Sequence, residues 1–289
     1  MVAVIGAGHM GAAMARTLCR SGLPVVLYNR TRGRALELAA AIGAAVAATP
    51  AAAVSEVDLA LVSVADDFAV RSVYSGPDGI LAGLRPDAVV LETSTLAPAT
   101  VRALARPVAE RGAALLDAPV SGSVPVVERG ELTFLIGGDA EVIERARPVL
   151  EVLGKRVFHL GGHGAGATMK LAVNSALHGL NQALAEALVL AERAGIDRLA
   201  AYEVFASSAL AAPFVQYKRA AYERPGAEPP AFTLDLVAKD LALVAELAAQ
   251  TGTPMLQLGA NRHVVAAALD AGLGAADMSA LAVLLRQNR

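Results

Sequence analysis

One cysteine, Cys19, stands in 289 residues, which excludes an intrachain disulfide and any cysteine-rich metal site. It falls on the first helix the pattern predicts and reads as a small core hydrophobe rather than a reactive thiol. Neither sign of charge is in excess. A formal net charge of −2 and a pI near 6.2 give no electrostatic case for nucleic acid or an anionic membrane. Long apolar runs are missing too: mean hydropathy is +0.50, yet charged residues interrupt every stretch before it could span a bilayer. Because residue 2 already opens a strand, no signal peptide is expected, and a soluble, cytoplasmic enzyme is. The histidines (His9, His159, His163, His178, His263) show no H-E-x-x-H spacing, so no metal is expected. There is no G-x-S-x-G elbow, hence no support for a serine hydrolase. Lysine is scarce, with four (Lys155, Lys170, Lys218, Lys239) against 21 arginines. Where Arg supplies the surface cations, a retained Lys is a candidate for the tunable pKa of an amine.

What is present begins at once. The apolar run Val2–Ile5 predicts a buried parallel strand, and residues 11–20 predict a helix. Between them lies Gly6-Ala7-Gly8-His9-Met10-Gly11, a G-x-G-x-x-G in its strand-to-helix setting. Gly6 permits the tight turn, Gly8 lets a pyrophosphate approach the backbone, and Gly11 lets helix and strand pack closely. Phosphates would face the free N–H groups and positive end of that helix. His9 and Met10 belong to the same loop. A second apolar run, Leu23–Tyr28, closes the βαβ unit. At its end, where an NAD enzyme carries Asp or Glu for the ribose 2′-OH, this chain has Asn29-Arg30-Thr31. A guanidinium and a hydroxyl attract a 2′-phosphate that a carboxylate would repel. NADP(H) is therefore the expected cofactor, with NAD(H) as second choice.

Strand and helix signals alternate to about residue 160, through Leu59–Val64, Ala88–Glu92, Ala113–Leu116, Leu132–Gly137 and Arg156–Phe158, with a helix at 139–153. This predicts an α/β doubly wound, Rossmann-type parallel sheet with an extension. From 167 onward helical periodicity takes over, beginning with one long helix to about Ala194, apolar nearly all round and so expected to be largely buried. Asp197, Thr233 and Ser279 are candidate N-caps, and Gly195, Gly252 and Gly272 candidate stops. With no repeat, low-complexity segment or flexible linker, the expected domains are 1–163, binding the dinucleotide, and 164–289, all-α, joined through the long helix.

Three places could carry chemistry. Lys170 and Asn174, four apart, share one face of the long helix, and Asn181 falls near it. A buried Lys there suits proton transfer, because burial lowers its pKa. Ser121-Gly122-Ser123 follows a strand and offers two hydroxyls and closely spaced N–H groups, a nest for a substrate carboxylate. Thr95, also ending a strand, suits either a hydrogen bond to the nicotinamide end of a cofactor or a local turn. Lys239 is open between a site cation and a helix-stabilising partner for Asp235, four residues earlier. His178 reads as a core or cleft histidine, and Asp66-Asp67 as loop solvation.

Taken together these motifs resemble the β-hydroxyacid dehydrogenase family. The resemblance runs through Gly6–Gly11, Asn29-Arg30-Thr31, Ser94-Thr95, Asp117–Ser123, Gly164–Asn174, Phe232–Leu241 and Asp277-Met278-Ser279-Ala280. It implies Lys170 as catalytic acid/base, Asn174 assisting, Ser121 and Gly122 holding a small carboxylate substrate, and Lys239 lining the cofactor-substrate cleft. It also implies a homodimer or homotetramer built through the helical domain. Two departures stand out: Glu92 where Asp is commoner, and Ala211-Ala212 where a serine usually precedes Pro213. Imine reductases share the architecture but generally lack the catalytic lysine, which makes an imine reductase the alternative expectation. A non-catalytic NADP-binding sensor is a further one.

Overall fold

The computed structural model describes residues 1–287. Two compact units divide the chain, Met1–Lys170 and Leu171 onward. The division falls inside the long helix rather than at its start, because the first turns of that helix are held by the first unit. Ala167 is buried in that unit's core and gives its N–H to Asp117 Oδ2 at 2.9 Å.

The first unit carries nine strands: β1 (Val2–Ile5), β2 (Val25–Tyr28), β3 (Ala45–Val46), β4 (Leu59–Val62), β5 (Val89–Glu92), β6 (Ala114–Asp117), β7 (Val120–Ser121), β8 (Leu132–Ile136) and β9 (Gly154–His159). Its helices are α1 (His9–Arg20), α2 (Arg32–Ile42), α3 (Pro50–Val54), α4 (Asp67–Tyr74), α5 (Ile80–Gly83), α6 (Pro98–Ala109), α7 (Val124–Glu128) and α8 (Ala140–Leu153). Strands β1–β6 form one parallel sheet in the order β3-β2-β1-β4-β5-β6, the doubly wound arrangement with its switch point between β1 and β4. Side chains alternate across it. Val2 and Val4 enter one core with Leu61 and Leu91, while Ala3 and Ile5 enter the other with Ala60 and Val90.

Register decides where chemistry can occur. Ile5 pairs with Tyr28 and Val62, Val62 with Glu92, and Glu92 with Asp117. The residues that follow, Gly6, Asn29, Ser63, Thr93 and Ala118, therefore leave the sheet along one edge, where ligands of such sheets bind.

Some boundaries differ from the sequence pattern. β2 starts at Val25, since Pro24 has no N–H for the ladder, and α1 starts at His9, two residues early. The last three strands are a separate sheet, β7-β8-β9, in which β7 and β8 are antiparallel.

The second unit is all-helical. Helix α9 (Ala165–Arg193) leads into it, followed by α10 (Arg198–Ser207), α11 (Pro213–Glu223), α12 (Leu234–Thr251), α13 (Leu256–Asp270), a 3₁₀ turn at Met278–Ala280 and α14 (Leu281–Gln287). Asp197 caps α10 by accepting from the N–H groups of Leu199 and Ala200, and Thr233 caps α12 through Leu236. Gly252, at φ 66°, stops α12. Ser279 is not a cap: it lies within the 3₁₀ turn and donates its N–H to Asp277, whose carboxylate is better placed to accept. Nor is α9 buried all round. Leu171, Leu184 and Leu188 sit in the core, but Met169 is 39% and Leu190 71% exposed, because the helices of this unit cover only part of its surface.

Candidate active site

In the first unit the three glycines of the opening loop are constrained differently. Gly6 has φ +102°, and a Cβ there would stand 2.1 Å from the Ser63 carbonyl oxygen. A Cβ on Gly11 would stand 2.0 Å from the Gly6 carbonyl oxygen. Gly8 is exposed, and a Cβ on it would meet nothing within 4 Å. It occupies the N-cap of α1, a helix start without a side-chain cap and without an acid in its first turn. The first two glycines are thus required by the protein's own backbone. The third borders an open cradle at the positive end of a helix, which suits a pyrophosphate.

Asn29 works within the fold. Its Oδ1 accepts the Ala7 N–H at 2.9 Å and its Nδ2 donates to the Thr31 carbonyl at 2.9 Å, so it ties the glycine loop to the end of β2. Arg30 and Thr31 are exposed there, and the Thr31 hydroxyl makes no capping bond to α2. His9 is exposed and Met10 half-buried. These residues fit a dinucleotide: an open glycine cradle for phosphates and a guanidinium beside the ribose end of β2.

After β4 and β5 two loops are locked together. The Val64 N–H donates to Ser94 Oγ at 2.9 Å, and the Ser94 N–H to Glu92 Oε1 at 3.0 Å. Tyr74 donates its hydroxyl to Glu92 Oε2 at 3.0 Å. Glu92 is fully buried, and burial pushes its carboxyl up to about 7 against the pull of these hydrogen bonds. Thr95, half-buried, follows directly on this lock.

Ser121 pairs with Thr133 across β7 and β8, and Ser123 starts α7 without a side-chain capping bond. Gly122 between them has φ +142°, and a Cβ there would stand 2.7 Å from Leu132, so only glycine fits. The two hydroxyls thus flank a backbone turn, as a carboxylate nest requires. Nearby, Asp117 is fully buried, its carboxyl raised by that burial, and it holds the first turn of α9 through Ala167.

The second unit gathers a polar cluster on two helices. Asn174, one turn after Lys170 on α9, donates Nδ2 to Asp240 Oδ2 at 2.6 Å. Lys239 Nζ stands 3.0 Å from Asp240 Oδ1. Asp240 has no exposed surface, and its carboxyl is lowered: burial pushes it up, but His178 and Lys239 together outweigh that. Lys170 is half-buried. Asn181 is turned to structure, donating to the Met278 carbonyl and accepting from Tyr222. The sequence pattern does not mark Asp240 as the centre of this cluster, and it leaves His178 as a core or cleft histidine. The signal for Asp240 was a carboxylate on the apolar face formed by Leu234, Val237, Leu241 and Val244, all buried. Among the described residues no cluster of His, Cys, Asp and Glu could hold a metal ion. No helix of them is long and apolar enough to cross a membrane.

Comparison with known proteins gives this geometry a lineage. Residues 1–161 match the NAD binding domain of 6-phosphogluconate dehydrogenase, and residues 164–285 the NAD-binding domain of NADP-dependent 3-hydroxyisobutyrate dehydrogenase. The chain is 34% identical to a 3-hydroxyisobutyrate dehydrogenase of Pseudomonas aeruginosa, covering 99% of this chain and 98% of that one. It is 38% identical over 207 residues to an NAD-dependent L-serine dehydrogenase of the same organism, covering 72% and 69% of the two. A solved 3-hydroxyisobutyrate dehydrogenase of Mycobacterium tuberculosis with L-serine superposes with a TM-score of 0.83 at 31% identity, covering 99% and 98%. With the dinucleotide loop, the long helix carrying lysine and asparagine and the paired domains all in place, the chain belongs to the NAD(P)-dependent β-hydroxyacid dehydrogenase family, a family of oxidoreductases.

Proposed function

We propose that this protein interconverts a small hydroxy acid and the corresponding aldehyde or oxo acid, such as 3-hydroxyisobutyrate, glyoxylate or succinic semialdehyde, with NADP(H). The observation that carries the reading is Asn174, one turn beyond Lys170, held at 2.6 Å by a buried carboxylate that also holds Lys239 at 3.0 Å. Gly6, Gly8 and Gly11 with the start of α1 would take the pyrophosphate. Arg30 and Thr31 would take the 2′-phosphate, and Thr95 the nicotinamide end. The dinucleotide, when bound, gives or takes a hydride at the nicotinamide C4.

Lys170 supplies a proton to the substrate carbonyl oxygen in reduction, or removes it from the hydroxyl in oxidation. Asn174, fixed by Asp240, orients lysine and substrate. Ser121, Gly122, Ser123 and Lys239 hold the carboxylate. NADP(H) is preferred over NAD(H) because a guanidinium and a hydroxyl stand where a carboxylate would favour the 2′-OH. Assembly into a homodimer or homotetramer through the helical unit is supported by the apolar side chains that unit exposes, Leu256 at 92%, Leu190 at 71% and Val204 at 67%.

A panel of C2–C6 oxo and hydroxy acids and cyclic imines, assayed with NADPH and NADH, tests the reading. Turnover is expected on an acid with NADPH, and Lys170→Ala is expected to lower kcat by about 10²–10⁴-fold with NADPH affinity nearly unchanged. Faster reduction of a cyclic imine than of every acid, or near-wild-type turnover by Lys170→Ala, would overturn it.

A further inference from the structure

Resting on the reading of Lys239 as a carboxylate-binding residue, we propose that His178 is a positioning residue that gives Asp240 a second hydrogen bond when Lys239 turns to the substrate. His178 is 3% exposed, and neither ring nitrogen has a hydrogen-bond partner among the described residues. Its Nε2 stands 3.6 Å from Asp240 Oδ2, the oxygen that also accepts from Asn174. Its ring lies against Phe232, centroids 5.9 Å apart and planes 34° apart. A buried donor without an acceptor at ordinary hydrogen-bond length is costly, so the ring gains by closing on the nearest acceptor, Asp240 Oδ2.

That partner follows from the charges. Asp240 is fully buried and balanced by Lys239, whose side chain is 23% exposed. When a substrate carboxylate draws the ammonium towards itself, Asp240 loses part of its counter-charge in a place where an uncompensated anion is costly. Asn174 already gives it one N–H. With a proton on Nε2, His178 needs to close less than about 1 Å from its 3.6 Å separation to give a second at ordinary hydrogen-bond length. The carboxylate of Asp240 then stays anchored, Asn174 keeps its place, and Lys239 is released to bind.

The test compares a semialdehyde acid with an uncharged aldehyde of the same length, in wild type, His178→Phe, His178→Gln, Lys239→Ala and the double variant His178→Phe/Lys239→Ala. Phe keeps the ring packing and Gln keeps a donor at similar reach. Expected is a rise in KM for the acid of about tenfold in His178→Phe, with kcat changed less than about twofold and the uncharged aldehyde little affected. His178→Gln should recover most of the loss, and the effect should vanish in the Lys239→Ala background. Thermal unfolding of each variant separates folding defects, and should His178→Phe unfold, His178→Leu, which also lacks the donor, is read alone and with Lys239→Ala in its place. Equal losses on both substrates, or additive losses in the double variant, would overturn the role of His178 alone. If Lys239→Ala leaves KM for the acid unchanged, the assignment of Lys239 falls and this inference with it.

Discussion

Single residues in this protein carry charge where water does not reach, and their environments decide what they do. Glu92 takes the place of the commoner aspartate at the end of β5, and the extra methylene lets its carboxyl reach the Tyr74 hydroxyl while holding the Ser94 N–H. Its carboxyl is raised from 4.5 to about 7 by burial, so the folded chain binds a proton that the unfolded chain has already released in that window. Stability should therefore be fullest below about pH 4.5 as far as this group is concerned, and fall by about 3 kcal/mol as pH rises to 7. Denaturant unfolding from pH 5 to 8 is expected to show this loss in wild type, and a flatter profile in Glu92→Gln. The same slope in both would assign the proton elsewhere. Arg30, by contrast, is exposed, and in the proposed function it selects between the two cofactors. Arg30→Ala should weaken NADPH by about 1.5–3 kcal/mol and hardly affect NADH, measured by fluorescence titration. Equal losses for both cofactors would make Arg30 structural.

At the scale of elements, the helix starts and strand ends show which sequence signals are local and which are not. The glycine loop at the start of α1 is legible because two backbone constraints, at Gly6 and Gly11, and one open position, Gly8, fall within a row of six. Gly11→Ala puts a Cβ 2.0 Å from a backbone oxygen that no side-chain rotation can relieve. It is expected to shift α1 away from β1 and to raise the Kd for NADPH about tenfold or more, with a lower Tm. An unchanged Kd would mean that the loop opens without cost. The cap of α10 at Asp197 was equally legible, since an acid one residue before a helical pattern bonds its own neighbours. Ser279 misled because Asp277, two residues earlier, is claimed by a distant partner. It binds the buried Lys218 at 2.6 Å and accepts the Ser279 N–H besides, and sequence spacing carries no trace of the ion pair with α11. The short strand β7 was hidden for a similar reason: two residues are too few for a periodic pattern, and their pairing with β8 is what makes them a strand.

For the whole molecule, the exposed apolar side chains are the feature that bears on the proposed assembly. Leu190, Val204 and Leu256 on the helical unit are the largest cases there. Size-exclusion chromatography with light scattering is expected to give a dimer or tetramer, and aspartate at one or more of these positions to shift it to a smaller species. A monomeric wild type would leave the exposed side chains without that role. The parallel sheet, the glycine loop and the helix that places Lys170 one turn before Asn174 are all written in local pattern. Each of these rests on a period or a spacing written within about 30 residues. It took the folded chain to bring Asn174, His178 and Lys239 together on Asp240, to tie Asn29 to the glycine loop, and to set Glu92 against Tyr74. Those contacts join residues far apart in the chain, and in a buried place the energy of a charge depends on what packs against it, which no local pattern records.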